Sequence, residues 1–174
     1  VTMGIWGVIQ LNALEKILVE QQVKRLEDVA ETVSTFYQYF PTKRGLRALD
    51  SALNDHLQAD VRLARIDIFD ISQKRIDYVA GASRDSYEWP DGMILSSTDK
   101  LKPRYNKIET ENGPALGLLY PAAGESKGSH IVIGVIGFSR ANAEIMNRAR
   151  QLLIFSSAGL LILILMVLGL SYRW

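Results

Sequence analysis

The longest uncharged stretch of the chain, residues 151–172 between Arg150 and Arg173, constrains the fold more than any other feature. As an α-helix, these 22 residues would extend about 33 Å, enough to cross a hydrocarbon core of about 30 Å. Leu and Ile occupy every face of that helix, whereas a core helix of a soluble protein is usually apolar along one stripe. Tyr172 and Trp174 stand where aromatic residues mark a membrane interface. The run therefore predicts a transmembrane helix.

A second uncharged segment, Val1–Leu14, opens the chain. It is too short to span a bilayer, and it has neither the basic start nor the small-residue cleavage site of a signal peptide. We expect it to be the end of a first transmembrane helix. We expect residues 15–150 to form a water-soluble domain and residues 151–172 to form a second transmembrane helix.

The side of the membrane on which the central domain lies has to be inferred indirectly. The positive-inside rule applies to short loops, so it does not orient a segment of this length. The segment has no cysteine and no P-loop motif. Long domains of this kind between two helices are typical of the extracytoplasmic parts of bacterial receptors. We therefore expect the bacterial inner membrane, with the central domain extracytoplasmic.

Charge and residue content exclude several classes of function. With 20 Lys and Arg against 19 Asp and Glu, the net charge of +1 supplies no bulk attraction for nucleic acid. The absence of cysteine removes thiolate metal ligands and cysteine nucleophiles. His56 and His130 are far apart and lack a zinc-binding spacing. Asp67 and Asp70 fall on opposite faces of a predicted strand, so they cannot act as a catalytic pair of carboxylates. We expect no enzyme activity in this chain, no metal and no cofactor.

The first long helix is predicted from Leu11 to Phe40, because apolar residues follow one helical face with a polar interruption at residues 21–25. A helix of this length exceeds ordinary globular packing, so we interpret it as a stalk that continues into a packing helix. Its apolar stripe is wider than a small sheet needs to cover, which predicts a parallel homodimer through this helix. The alternative is a helix that packs only on its own domain. The stripe consists of Leu26, Val29, Val33, Phe36 and Phe40.

A change of hydrophobic period separates helices from strands in the rest of the domain. Residues 42–59 have helical spacing, whereas residues 61–70 alternate and precede a polar turn at 71–75. A buried strand containing Gly134 and Gly137, instead of a phosphate loop, leads into an exit helix that begins at Arg140. The fold class is α+β, with a long N-terminal helix packed on a five-stranded antiparallel sheet and a C-terminal transmembrane helix. The strands are predicted at 61–70, 76–83, 105–112, 114–122 and 129–139, with an irregular excursion over the sheet at 83–104.

This order of elements, together with the stretch IDIFDISQKRIDYVAGAS at residues 66–83, resembles the PAS-like sensor domains of bacterial receptors that are called PDC or Cache domains. The stretch looks like the family's strand, Asp, turn and second strand ending in small residues. The resemblance covers roughly residues 11–172. It implies the sensor domain of a membrane-bound signalling protein such as a histidine kinase, a chemoreceptor or a diguanylate cyclase.

A PAS-like sheet offers a concave face that the excursion would cover, and a small ligand would be enclosed there. Arginine suits a carboxylate ligand through bidentate pairing, although the ligand class stays open. The aromatic candidates have a simpler alternative role, which is to plug the sheet. The candidate ligand-binding residues are Arg65 and Asp67 on the first strand, Tyr87 and Trp89 in the excursion, and Arg104 and Tyr105 at the start of the third strand.

Two functions remain open from the sequence. The first is a ligand-sensing domain that passes a conformational signal through the second transmembrane helix to a cytoplasmic effector. Its expected partners are a small molecule, a second copy of the chain and membrane lipid. The second is a membrane-anchored structural or assembly protein of the cell envelope. A HAMP-like helix pair or a phospho-acceptor helix after Trp174 would favour the receptor.

Overall fold

The computed structural model describes residues 2–39, 43–98, 101–123 and 129–172. This part of the chain has the predicted α+β architecture, including all five predicted strands, with boundaries shifted by a few residues. One short helix, Asp91–Thr98, was not predicted. In chain order the elements are α1 (Thr2–Tyr39), α2 (Lys43–Ala59), β1 (Leu63–Ser72), β2 (Arg75–Ser83), α3 (Asp91–Thr98), β3 (Arg104–Thr110), β4 (Gly113–Ala123), β5 (Ser129–Phe138) and α4 (Arg140–Ser171).

The chain divides into two compact units. One comprises Val1–Glu20 and Ala141–Trp174, and the other comprises Gln21–Arg140. The division reflects internal packing. It does not locate the surface of a membrane, so the predicted membrane boundaries at residues 14 and 150 stay predictions.

The five strands form one antiparallel sheet in the order β2-β1-β5-β4-β3. β1 and β2 are joined by a two-residue turn, Gln73 and Lys74, both at positive φ (50° and 64°). This is the backbone of a tight hairpin turn, whose twist matches that of the strands. The turn is shorter than the predicted segment 71–75 because the ladder continues to the pair Ser72 and Arg75.

One face of the sheet, the helix face, packs against α2 and the second half of α1. Leu26, Ala30 and Val33 of α1 are buried there. Leu49, Leu53 and Leu57 of α2 complete the same core, at the spacing that predicted the helix; the side chain of Leu46 lies outside the described residues. The strands contribute Leu63, Ile66, Ile68, Ala80, Ala82, Leu116, Leu118, Ile131, Ile133 and Val135.

The opposite face, the excursion face, is covered by the predicted excursion between β2 and β3. The excursion contains α3, which buries Ile94 and Ser97. The helix was not predicted because its apolar residues do not follow one face. With Trp89 it encloses a second core, whose strand residues are Ala64, Phe69, Ile71, Ala115, Leu119, Val132 and Ile136.

The stripe that predicted a dimer through α1 lies largely in the domain's own core. Leu26, Val29 and Val33 are buried against the helix face, and Phe36 is half exposed. Phe40 lies outside the described residues. The stripe therefore has a partner within the chain, and a homodimer through this helix stays a prediction.

The first unit pairs the start of α1 with α4. Gly7 lies against Leu153, where a Cβ would meet the leucine Cγ at 3.1 Å. Asn142 Nδ2 donates a hydrogen bond to the Leu18 carbonyl oxygen at 3.4 Å, so the two segments run antiparallel. Among the described residues, α4 is the one helix that is long and apolar enough to cross a membrane, with a mean hydropathy of 2.7 over its most apolar window. It is the candidate membrane span that residues 151–172 predicted.

Candidate ligand-binding site

A cavity of about 420 Å³ lies on the excursion face, between the β1–β2 hairpin and the segment that contains α3. Its volume falls within the range of pockets that hold small ligands. Apolar side chains form much of its wall, and ionisable groups of both signs stand around them. The lining residues are Phe69, Ile76, Trp89, Ile94 and Leu95, with Arg65, Lys74, Tyr78, Glu88 and Asp91.

The Trp89 indole forms the wall of the cavity that rests on the sheet. It lies over two glycines of the central strands: a Cβ on Gly134 would come within 2.8 Å of the indole Nε1, and a Cβ on Gly117 within 3.0 Å of Cη2. Glycine in a strand interior allows this close approach. Trp89 is 8% exposed, so it both plugs the sheet and lines the cavity. Packing of the indole thus explains the glycine at position 134 of β5.

Asp67 anchors that indole from the neighbouring strand, because Asp67 on β1 pairs with Gly134 on β5. Its Oδ2 accepts hydrogen bonds from Trp89 Nε1, at 2.9 Å, and from Arg65 Nε. The carboxylate is 1% exposed and does not itself line the cavity. Burial raises the pKa of Asp67 more than the Arg65 guanidinium and the Trp89 N–H lower it.

Tyr78 on β2 closes the hairpin side of the cavity. Its ring meets that of Phe69 edge to face, with centroids 6.0 Å apart. Its hydroxyl lies over Gly81, in the space that a Cβ would need, beside Asp67 Oδ1. Burial and the Asp67 carboxylate both raise the pKa of the Tyr78 hydroxyl.

Asp85 fixes the start of the excursion. Its carboxylate accepts hydrogen bonds from the Tyr87 backbone N–H at 3.1 Å and from Asn112 Nδ2 at 3.0 Å. Burial raises the pKa of Asp85, but these hydrogen bonds, together with that of Thr110, hold it below its ordinary value. Arg65 Nη1 donates to the Asp85 carbonyl oxygen at 3.3 Å, which ties the same segment to β1.

The six predicted site residues lie in three places. Arg65, Asp67 and Trp89 form one hydrogen-bonded cluster at the cavity. Tyr87 lies edge to face on Trp89, with centroids 5.6 Å apart, but does not line the cavity. Arg104 and Tyr105 lie on β3, at the sheet edge opposite β2, and Arg104 donates to Ser96 Oγ at 2.9 Å. Neither Arg104 nor Tyr105 lines the cavity, and their role in ligand binding stays a prediction.

Several lining residues were missing from the prediction. Phe69 follows Arg65 and Asp67 at every second position of β1, so the alternation of the strand could have supplied it. Tyr78 is the register partner of Phe69 in the predicted hairpin. Lys74, Glu88 and Asp91 lie in a turn and in the excursion, where no periodic signal locates a side chain. Among the described residues, no group of three or more His, Asp and Glu side chains is placed to hold a metal ion.

Comparison with known proteins identifies the fold. No protein-family model matches the sequence, and no curated protein matches it either. The chain is similar in structure to the extracellular domain of a protein described as a histidine kinase, with 11% identity and a TM-score of 0.51. That match covers 75% of this chain and 59% of the solved chain. A second match, to a domain of a protein described as belonging to the sensory box/GGDEF family of Vibrio parahaemolyticus, has 11% identity, a TM-score of 0.44, and coverage of 78% and 60%.

At this level of identity, the first match establishes the fold. The chain shares the fold of that extracellular domain, and this agrees with the PAS-like arrangement that the order of elements and the stretch at residues 66–83 predicted. The chain spans 59% of the solved chain that it matches, so the activity of the whole protein is a separate question.

Proposed function

We propose that this chain is the extracytoplasmic ligand-sensing domain of a membrane-bound signalling receptor, with its second membrane helix at residues 151–172. A small molecule binds in the cavity between the β1–β2 hairpin and α3, and occupancy is passed on through α4. The observation that carries the proposal is the Trp89 indole, which lines the cavity on one side and rests on Gly134 of β5 on the other. The same strand leads directly into α4.

The route from the cavity to α4 is short. A single residue, Ser139, separates β5 from the first residue of α4. Gln22 of α1 holds this junction: its Nε2 donates to the Gly137 carbonyl oxygen at 3.0 Å, and its Oε1 accepts from Ser139 Oγ at 3.1 Å. This pairing accounts for Gln22, one of the polar residues that interrupt the apolar stripe of α1. These two hydrogen bonds hold the end of β5 and the residue that precedes α4.

A cavity-filling variant tests the binding site without knowledge of the ligand. Leu95→Trp adds an indole at a lining position, so it should abolish the thermal stabilisation produced by any hit from a metabolite screen on the whole chain in detergent. A ligand at about 100 times its Kd stabilises a protein by about 2.7 kcal/mol, a measurable rise in Tm. The matched control is Val61→Trp, at an exposed position outside the cavity, which should keep the response.

Arg104→Ala provides the second control, because Arg104 does not line the cavity. Binding that survives Leu95→Trp, or that is lost in Arg104→Ala alone, would place the ligand elsewhere on the domain. A screen with no hit would leave the assembly function as the better proposal, and a pull-down of envelope partners would then test it.

A further inference from the structure

The two oxygens of the Asp67 carboxylate have different surroundings. Oδ2 accepts both hydrogen bonds, from Arg65 and from Trp89. Oδ1 is buried and accepts no hydrogen bond from any described residue. A buried acceptor without a hydrogen bond destabilises the folded state, and the effect is larger when the acceptor carries charge. In Asp67, this oxygen belongs to the same carboxylate that holds two cavity-lining side chains.

Both donors to Oδ2 line the cavity, whereas Asp67 does not. One oxygen atom therefore fixes the position of the cavity's arginine and of its indole wall. While Asp67 is ionised, its charge-assisted hydrogen bond occupies the Arg65 Nε. The guanidinium is then only partly available to a molecule in the cavity.

The charged and titratable groups around Asp67 come from every element packed near it. Arg65 on β1 is its ion-pair partner. Tyr78 on β2 lies beside Oδ1, and Asp50 of α2 accepts the Gly81 N–H on the same strand at 3.2 Å. The β1–β2 turn, the excursion and α3 contribute Lys74, Glu88 and Asp91 around the cavity, and the Asp67 partner on β5 is the uncharged Gly134.

We propose that Asp67 is a positioning residue that tethers Arg65 and Trp89 while it is ionised, and that a proton on Oδ1 releases Arg65 to an anionic group of the bound molecule. The proton enters at the oxygen that has no donor, so no existing hydrogen bond has to break first. A neutral acid holds a guanidinium less strongly than a carboxylate does. Binding of an acidic ligand and proton uptake by Asp67 are then linked. The ligand part of this inference rests on the proposed function.

The emission of Trp89 reports the state of Asp67 without any ligand. Trp6→Phe and Trp174→Phe leave Trp89 as the single tryptophan of the whole chain, which is kept in lipid nanodiscs. Lowering the pH should give a reversible shift of the emission maximum by several nanometres, because the acceptor of the indole N–H changes from a carboxylate to an acid. Since burial raises the pKa of Asp67, the midpoint should lie above 3.8.

Two variants assign the transition. Asp67→Asn should abolish it. The matched control, Asp70→Asn, removes another aspartate of β1 whose Oδ1 is buried without a described partner, but which faces away from Trp89, so this variant should keep the transition. A transition that is absent in the parent protein, or that survives Asp67→Asn, would overturn the proposal.

If Asp67→Asn does not fold, Arg65→Gln still tests the proposal, because this variant retains Asp67. Removing the cation should move the midpoint to higher pH, and an unchanged midpoint would overturn the tether. These readouts need no ligand. A cavity that binds no ligand would contradict the proposed function even if the Asp67 transition is observed. An absent transition would contradict the Asp67 proposal even if a ligand binds.

Discussion

Replacing Val29 and Val33 together with glutamate should unfold the domain instead of producing folded monomers. The two valines are 9% and 2% exposed, in the core between α1 and the helix face. An unpaired charge in such a site costs several kcal/mol, so two of them approach or exceed the about 5–15 kcal/mol by which a domain is stable. Far-UV circular dichroism with light scattering on the whole chain in detergent would measure the loss.

The control for this variant uses the exposed face of the same helix. Thr32 and Thr35 are exposed, and each donates its hydroxyl to the carbonyl oxygen four residues earlier. Thr32→Glu with Thr35→Glu should leave the domain folded. A folded, monomeric Val29→Glu and Val33→Glu variant would mean that the stripe is a dimer interface and not core.

Trp89→Ala should lower the free energy of unfolding by about 3–5 kcal/mol, the usual cost of truncating a buried large aromatic side chain. The indole fills the space above Gly134 and Gly117, and its N–H satisfies Asp67, so its removal creates a void and takes one of two donors from a buried carboxylate. Urea denaturation followed by circular dichroism would measure the change. Tyr105→Ala, at a position that is 54% exposed, should change the same quantity by no more than about 0.5 kcal/mol.

A loss below about 1 kcal/mol for Trp89→Ala would contradict the packing described for the excursion face. It would also contradict the proposal that Trp89 connects the cavity to β5. An intermediate variant, Trp89→Phe, keeps most of the apolar volume but not the N–H, so it separates the void from the hydrogen bond to Asp67.

Most helices and all five strands could be predicted from the sequence because its hydrophobic periods are strong. The leucine spacing of α2, the alternation of β1 and the uninterrupted run of α4 each predicted the correct element. α3 was missed because its eight residues include Gly92, Ser96 and Ser97 and carry no stripe. Val29 and Val33, which the sequence analysis assigned to a dimer interface, lie in the domain's own core. One sequence cannot show that α2 and the sheet cover that face.

The site was partly predictable for a related reason. Arg65, Asp67 and Trp89 were all candidates, but sequence alone could not show that Asp67 lies beneath the cavity and acts on the other two. Arg104 and Tyr105 were chosen as the start of the third strand. Strand order is a long-range property, and β3 lies at the far edge of the sheet from the hairpin that forms the cavity.

The proposed coupling depends on the stiffness of α4, which runs as one helix from Arg140 to Ser171. A shift of about 1–2 Å at β5, the usual scale of helix displacements in switching, would then reach the membrane segment. Inserting Gly-Gly after Asn147 places two poor helix formers in this rod. A seven-residue alanine-rich insertion at the same position is the matched control, because it adds about two helical turns and keeps the rod nearly in phase.

The most direct measurement fuses this chain to the cytoplasmic part of a histidine kinase and follows autophosphorylation in nanodiscs with a ligand from the cavity screen. We expect the ligand to change the phosphorylation rate in the parent fusion and in the helical-insertion control. In the Gly-Gly variant, the ligand should bind with unchanged Kd while the rate no longer responds. A Gly-Gly variant that responds to ligand as the parent does would contradict transmission of the signal through α4.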